Sequence, residues 1–133
     1  MSVAVVDTSA LVRLYVPDGP LPRDLEAAVE SAWRGDGVLM APELVFVEAA
    51  QVLLKKETRG VLTRKETSLI MDAILDLPLE ALGHRDLLPG AISLSRDHSL
   101  NAYDALFLSA AVNRGASLIT ADARLRAAFD RLS

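Results

Sequence analysis

The amino-acid sequence predicts an α/β fold, in which helices cover both faces of a small central sheet. Short runs of Val, Leu and Ile alternate along the chain with longer segments whose apolar residues recur at helical spacing. No two apolar runs are joined by a short turn typical of a β-hairpin, so the strands are expected to be parallel. The 133 residues are expected to form one domain, since that length suffices for a single hydrophobic core.

Prolines and glycines mark the element boundaries in the first half of the chain. The Pro-Asp-Gly-Pro run at residues 17–20 stops the first helix, and Gly35 follows the second. Pro42 is expected in the first turn of a long third helix, where its missing N–H is not needed, and Gly60 follows that helix. In order, these signals predict strand 3–6, helix 8–16, helix 21–34, strand 38–41 and helix 42–59.

The second half of the chain opens with a capping signal. Thr63 and Glu66 stand at the spacing of a capping box, and Pro78 ends the helix that they begin. The Pro-Gly pair at residues 89–90 makes the start of the next helix irregular, whereas Gly115 closes a strongly patterned one. The predicted elements are helix 63–76, strand 79–82, helix 84–96, helix 100–114, strand 116–120 and helix 122–131.

The overall composition narrows the classes of function. The chain has no cysteine, which excludes disulfides, zinc–thiolate sites and a thiol nucleophile. Its net charge of −4 counts against a broad basic surface that tracks phosphates, although an acidic metal site would produce the same bias. No signal peptide and no apolar run of about 20 residues is apparent, so we expect a cytoplasmic protein without membrane contact.

Two acids follow predicted strands. Asp7 ends the first strand, with Thr8 and Ser9 directly after it, and Asp122 follows the last strand through Thr120 and Ala121. The carboxyl ends of parallel strands are where open α/β sheets keep their ligand sites. Each acid could instead simply cap the helix that follows it, because Asp accepts hydrogen bonds from free backbone N–H groups.

Two further acids interrupt apolar helix faces. Glu48 stands between Leu44 and Val52 at helical spacing, and Asp104 has Leu108 one turn later. A buried unpaired carboxylate is costly, yet no Arg or Lys occurs on the same stripes. Structural alternatives are a buried Arg partner for Glu48 and a helix-terminus contact for Asp104. If all four acids converge, a divalent cation would relieve their repulsion, and oxygen ligands alone favour Mg²⁺ or Mn²⁺.

The sequence around these acids resembles the PIN-domain ribonucleases and, more narrowly, the VapC-type toxins of prokaryotic toxin–antitoxin pairs. The resemblance covers nearly the whole chain, and four motifs occur in order. They are Val-Val-Asp-Thr-Ser-Ala at 5–10, Pro-Glu-Leu at 42–44 with Glu48, Tyr-Asp-Ala at 103–105 with Leu108, and Leu-Ile-Thr-Ala-Asp at 118–122 with Leu125. Each motif alone is weak, whereas the ordered set is specific.

The resemblance implies a PIN-like three-layer α/β/α sandwich and a Mg²⁺- or Mn²⁺-dependent endoribonuclease. By position, the catalytic and metal-binding residues would be Asp7, Glu48, Asp104 and Asp122. Supporting residues would be Thr8, Ser9, Thr120 and Gln51, the last standing where many relatives have Asn. The resemblance also implies an RNA substrate, a cognate antitoxin protein and a homodimer. We expect partners to cover exposed apolar residues of the helices 21–34 and 42–59.

Two other functions remain open from the residues alone. One is a phosphotransfer or receiver-type module that uses Asp7 as phosphoacceptor, and the other is a non-catalytic α/β module. Aspartyl-phosphate phosphatases need a second Asp two residues after the first, where this chain has Ser9. His84 and His98 have no partners at metal-binding spacing, and both are expected at the surface.

Overall fold

The computed structural model describes residues 1–132. The described chain folds into an α/β sandwich with eleven helices and strands. In order these are β1 (Ser2–Val6), α1 (Thr8–Arg13), α2 (Leu25–Arg34), β2 (Gly37–Pro42), α3 (Leu44–Thr58), α4 (Arg64–Asp76), β3 (Leu79–Leu82), α5 (Leu88–His98), α6 (Ala102–Arg114), β4 (Ser117–Ile119) and α7 (Ala123–Leu132). None of these helices is long and apolar enough to cross a membrane.

The four strands form one parallel sheet in the order β3-β2-β1-β4. Strand β1 is central, and its consecutive residues Val5 and Val6 are both 0% exposed. Successive strand side chains point to opposite faces, so both faces of the sheet are covered. The predicted parallel sheet between layers of helices is therefore confirmed.

Several boundaries follow the predicted signals. Thr63 and Glu66 form the predicted capping box at the start of α4, and strand β3 has the predicted bounds. A glycine follows each of three helices, at Gly35, Gly60 and Gly115. The φ angles of these glycines lie between 59° and 80°, a left-handed conformation that glycine adopts without the steric cost of a Cβ.

The prediction for Pro42 was wrong. Pro42 is the last residue of β2, paired with Leu82, and α3 begins two residues later at Leu44. The backbone N–H of Leu44 donates to His84 Nε2 at 3.0 Å. His84 is therefore half-buried at the start of α3, where the sequence predicted a surface position.

Three other predicted helices had one or both ends misplaced. Helix α1 ends at Arg13, and its continuation to residue 16 consists of turns. Helix α2 starts only after Asp24, whose left-handed backbone breaks the predicted helix. Pro89 lies in the first turn of α5, so that helix starts at Leu88 and extends beyond the predicted end.

Candidate active site

An acidic cleft of about 350 Å³ opens beside the ends of the neighbouring strands β1 and β4. All four acids singled out in the sequence line it. The complete lining is Asp7, Thr8, Ser9, Glu48, Gln51, Val52, Lys55, Asp104, Phe107 and Asp122. The acids come from two strand ends and two helices that are distant in the chain, so the parallel topology is what brings them to one place.

Asp7 is the most enclosed of the four acids, with 5% of its surface exposed. Its carboxylate accepts hydrogen bonds from Ser9 Oγ at 2.8 Å, from the backbone N–H of Ala10 at 2.9 Å, and from Thr120 Oγ1. Burial raises the pKa of Asp7, and these three hydrogen bonds oppose that shift. Asp7 is thus both the cap of α1 and a wall of the cleft.

Two hydroxyls connect the ends of β1 and β4. Ser9 Oγ accepts the backbone N–H of Ala121 at 3.0 Å, and Thr120 Oγ1 accepts the backbone N–H of Asp122 at 2.9 Å. Both hydroxyls donate to Asp7 at the same time. This network holds the Asp7 carboxylate in a single orientation beside the segment that carries Asp122.

Glu48 is half-buried and accepts a hydrogen bond from Thr8 Oγ1 at 2.7 Å. Burial raises the pKa of Glu48, the Thr8 hydroxyl lowers it, and nearby Asp104 raises it further. The face of α3 that is fully buried consists of Val45, Ala49 and Leu53. The sequence predicted Glu48 in the middle of the apolar stripe. In the structure it lies at the edge of that stripe.

Asp104 lies in the first turn of α6. Its backbone N–H donates to the Oδ1 of Asn101, the residue that caps this helix, at 2.8 Å. The helix starts two residues later than predicted, so Asp104 benefits from the positive end of the helix dipole. Burial raises the pKa of Asp104, nearby Asp122 raises it further, and Arg124 lowers it.

Asp122 caps α7, as one of the structural alternatives anticipated. Its Oδ1 accepts the backbone N–H groups of Arg124 at 2.8 Å and Leu125 at 3.2 Å. Asp122 nevertheless lines the cleft and contributes to the raised pKa values of Asp7 and Asp104. Capping and facing the cleft are therefore compatible roles for an acid at a strand end.

The sequence reasoning did not identify Lys55, Val52 and Phe107 as parts of the cleft. Lys55 follows Glu48 by seven residues and Gln51 by four, which places all three on one side of α3. That spacing was a readable signal, and the expectation that no Lys lies on the helix side of Glu48 was wrong. Across residues 1–132, none of the four acids forms a salt bridge, so the anticipated Arg partner for Glu48 does not occur.

Residues 4–130 match the family described as PIN domain. The chain belongs to the PIN-domain family. It is 31% identical to Ribonuclease VapC3 of Pyrobaculum aerophilum over 130 residues, which cover 96% of this chain and 95% of that protein. The resemblance to VapC-type proteins that the four motifs indicated is thereby confirmed, and PIN membership favours a nuclease over a phosphotransfer module.

Two solved structures share the fold of this PIN domain. The crystal structure of PAE2754 from P. aerophilum has a TM-score of 0.74 at 21% identity, covering 98% of this chain and 86% of that one. The crystal structure of VapC20 from Mycobacterium tuberculosis, described as a sarcin–ricin loop cleaving toxin, has a TM-score of 0.64 at 16% identity. The match covers 94% of both chains.

The donor chemistry of the cleft suits a hard divalent cation, although the acids do not form a closed ligand cage. Within residues 1–132, no three Asp, Glu, His or Cys side chains form a group that could hold a metal ion directly. Mg²⁺ usually retains several waters and binds proteins through one or two carboxylates, so such a cage is not required. Asp7, Glu48 and Asp104 have raised pKa values, and within residues 1–132 none of them forms a salt bridge. A bound divalent ion would relieve the repulsion among these acids.

Proposed function

We propose that this PIN domain is a divalent-metal-dependent endoribonuclease and the toxin of a type II toxin–antitoxin pair. The observation that carries the proposal is the acidic cleft, with four carboxylates and no salt bridge to them within residues 1–132. The similarity to Ribonuclease VapC3 over almost the full length of both proteins supports RNA as the substrate.

In this proposal, Asp7, Glu48, Asp104 and Asp122 would hold Mg²⁺ or Mn²⁺, in part through waters that the ion retains. When bound, the divalent ion supplies an activated water nucleophile at neutral pH and stabilises charge on the phosphate. The carboxylates must be ionised to act as ligands, and burial, which raises the pKa values of Asp7, Glu48 and Asp104, disfavours the charged form of these three without a cation.

The supporting residues orient the carboxylates. Thr8 directs one oxygen of Glu48 through its hydrogen bond, and Ser9 and Thr120 between them contact both oxygens of Asp7. Gln51 lines the cleft one turn after Glu48 on α3, where its amide would hydrogen-bond substrate or solvent. Such outer contacts set the direction of metal ligands and typically affect activity less than the ligands themselves.

The lining of the cleft also indicates the products. It contains no histidine to act as general base toward a ribose 2′-hydroxyl. Attack by water instead would leave a 5′-phosphate and a 3′-hydroxyl. The half-buried imidazole of His84 accepts a hydrogen bond from the backbone N–H of Leu44 at the start of α3, and it does not line the acidic cleft.

Digestion of a mixed RNA pool tests this function. Purified protein with Mg²⁺ or Mn²⁺ should release fragments with a 5′-phosphate, and EDTA should stop the reaction. Ca²⁺ should substitute poorly because its coordination is looser. The Asp104→Asn variant is the matched control for contaminating nucleases. Fragments ending in a 2′,3′-cyclic phosphate, formed in EDTA, would contradict the proposal.

We further propose that an antitoxin or a second copy of the chain covers apolar residues on α2 and α3. Trp33 on α2 is 60% exposed and Val47 on α3 is 69% exposed. Light scattering of the purified chain tests self-association, and co-purification with the product of a neighbouring reading frame tests the antitoxin. A chain that stays monomeric at high concentration and binds no such product would contradict this part of the proposal.

A further inference from the structure

A second cleft, of about 210 Å³, adjoins the acidic cleft. It is lined by Thr8, Ser9, Val12, Arg13, Asp18 and Val52. Thr8, Ser9 and Val52 also line the acidic cleft, so the two are continuous across one shared ridge. A ligand that occupies the acidic cleft can therefore extend into the second one along the surface between α1 and α3.

The two clefts differ in charge. The acidic cleft has four carboxylates and one cation, Lys55. In the second cleft, Asp18 is paired with Lys56 Nζ, which leaves the charge of Arg13 unbalanced. Of the described residues that line the clefts, Lys55 and Arg13 are the only cations, one in each.

Arg13 is held in place but keeps most of its donors free. Its Nη1 donates to the backbone carbonyl of Pro20 at 3.0 Å. The guanidinium also packs on Gly19, where an added Cβ would lie 3.2 Å from Arg13 Cζ. A guanidinium has five N–H donors, and within residues 1–132 this is the one hydrogen bond found for Arg13.

We propose that the second cleft binds the nucleotide next to the cleaved bond, with Arg13 on its phosphate and Lys55 on the phosphate that enters the acidic cleft. The proposal rests on the proposed ribonuclease function. The acidic cleft alone repels an RNA backbone, whereas a cation on each side of the shared ridge attracts it. A guanidinium held in a fixed plane is suited to two parallel hydrogen bonds with a phosphate.

Binding without turnover provides the first test. Fluorescence anisotropy of a labelled single-stranded RNA in Ca²⁺ buffer should show about tenfold weaker binding for both Arg13→Gln and Lys55→Gln. Each should also reduce the slope of log affinity against log salt by about 0.7, the value for one phosphate on a single strand. Lys65→Gln is the matched control, because exposed Lys65 lines neither cleft, and it should bind like the wild type.

Cleavage kinetics provide the second test. The substrates are RNAs of increasing length on one side of the cleaved bond. Once the RNA is long enough to reach the second cleft, Arg13→Gln should raise KM about tenfold, a larger change than its effect on kcat. With shorter RNAs the KM of Arg13→Gln should match that of the wild type. Arg13→Lys should restore the salt dependence of binding but only part of the KM, because Lys keeps the charge and lacks the paired donors of the guanidinium. Thermal melts confirm that each variant is folded.

The outcomes separate the two proposals. RNA that binds through Arg13 and Lys55 but is never cleaved would refute the ribonuclease and support the subsite. Three outcomes would overturn the subsite and leave the ribonuclease standing. Arg13→Gln could cleave RNA and bind it as tightly as the wild type, Lys65→Gln could lose as much affinity as Arg13→Gln, or the KM of Arg13→Gln could rise equally for every RNA length. Wild-type protein that does not bind RNA would overturn both.

Discussion

The two acids at strand ends differ from the two acids on helices. Asp7 and Asp122 each accept backbone N–H groups that begin a helix, so both hold the fold together as well as facing the cleft. Glu48 accepts a single side-chain hydrogen bond, and within residues 1–132 no hydrogen bond reaches the Asp104 carboxylate. The helix acids therefore have little structural role, which makes them the cleaner probes of function.

The largest effect is expected for Asp104→Asn. If Asp104 is a metal ligand, cleavage should fall by at least about 100-fold, more than is typical for outer-shell residues. Without metal, Asp104→Asn should be as stable as the wild type or more stable. The substitution removes the repulsion between Asp104 and Asp122, and it breaks no hydrogen bond to the carboxylate within residues 1–132. Cleavage assays and thermal melts in EDTA measure the two quantities. A clear loss of metal-free stability would show that Asp104 is structural.

The strand-end acids should behave in the opposite way. Asp7→Ala should lower the free energy of unfolding in EDTA by about 2 kcal/mol, since it removes a helix cap and leaves buried donors unpaired. Asp122→Ala, which removes only a cap, should cost about 1 kcal/mol. Denaturant titrations measure both. Equal stability of Asp7→Ala and Asp104→Ala would remove the distinction between the two kinds of acid.

The pH dependence of stability should follow from the raised pKa values of Asp7, Glu48 and Asp104. An acid with a raised pKa in the folded state binds more protons there than in the unfolded state, so stability falls as pH rises between the two pKa values. Without metal, this effect should lower the melting temperature as the pH rises from the ordinary carboxyl pKa to the raised pKa. Saturating Mg²⁺ should reduce the fall, and Asp104→Asn should reduce it without metal. A steeper fall in Asp104→Asn would contradict this explanation.

The smallest effects are expected for the hydroxyls. Thr8→Ala and Ser9→Ala should lower cleavage by about tenfold, and less than Asp7→Asn, because a hydroxyl orients a carboxylate that still holds the cation. Thr8→Ala should act through Glu48 and therefore add little to a Glu48→Gln variant, which a double-mutant cycle measures. Full additivity would mean that Thr8 acts independently of Glu48.

Local chemistry was readable from the sequence alone. The capping box at Thr63 and Glu66, the left-handed glycines after three helices and the bounds of β3 depend on neighbours within a few residues. The parallel α/β class followed from the alternation of short and long apolar segments. The chain positions of the four acids were visible because they interrupt that pattern or end a strand, and their catalytic roles stay a prediction.

Contacts between distant segments decided the rest. Pro42 ends a strand because it pairs with Leu82, 40 residues away in the chain, and His84 caps α3 over the same separation. Thr120 bonds Asp7 across 113 residues. Periodicity identifies the inward face of a helix but not which segment it meets. The edge position of Glu48 and the second cleft at Arg13 therefore emerged only when the sheet brought these segments together.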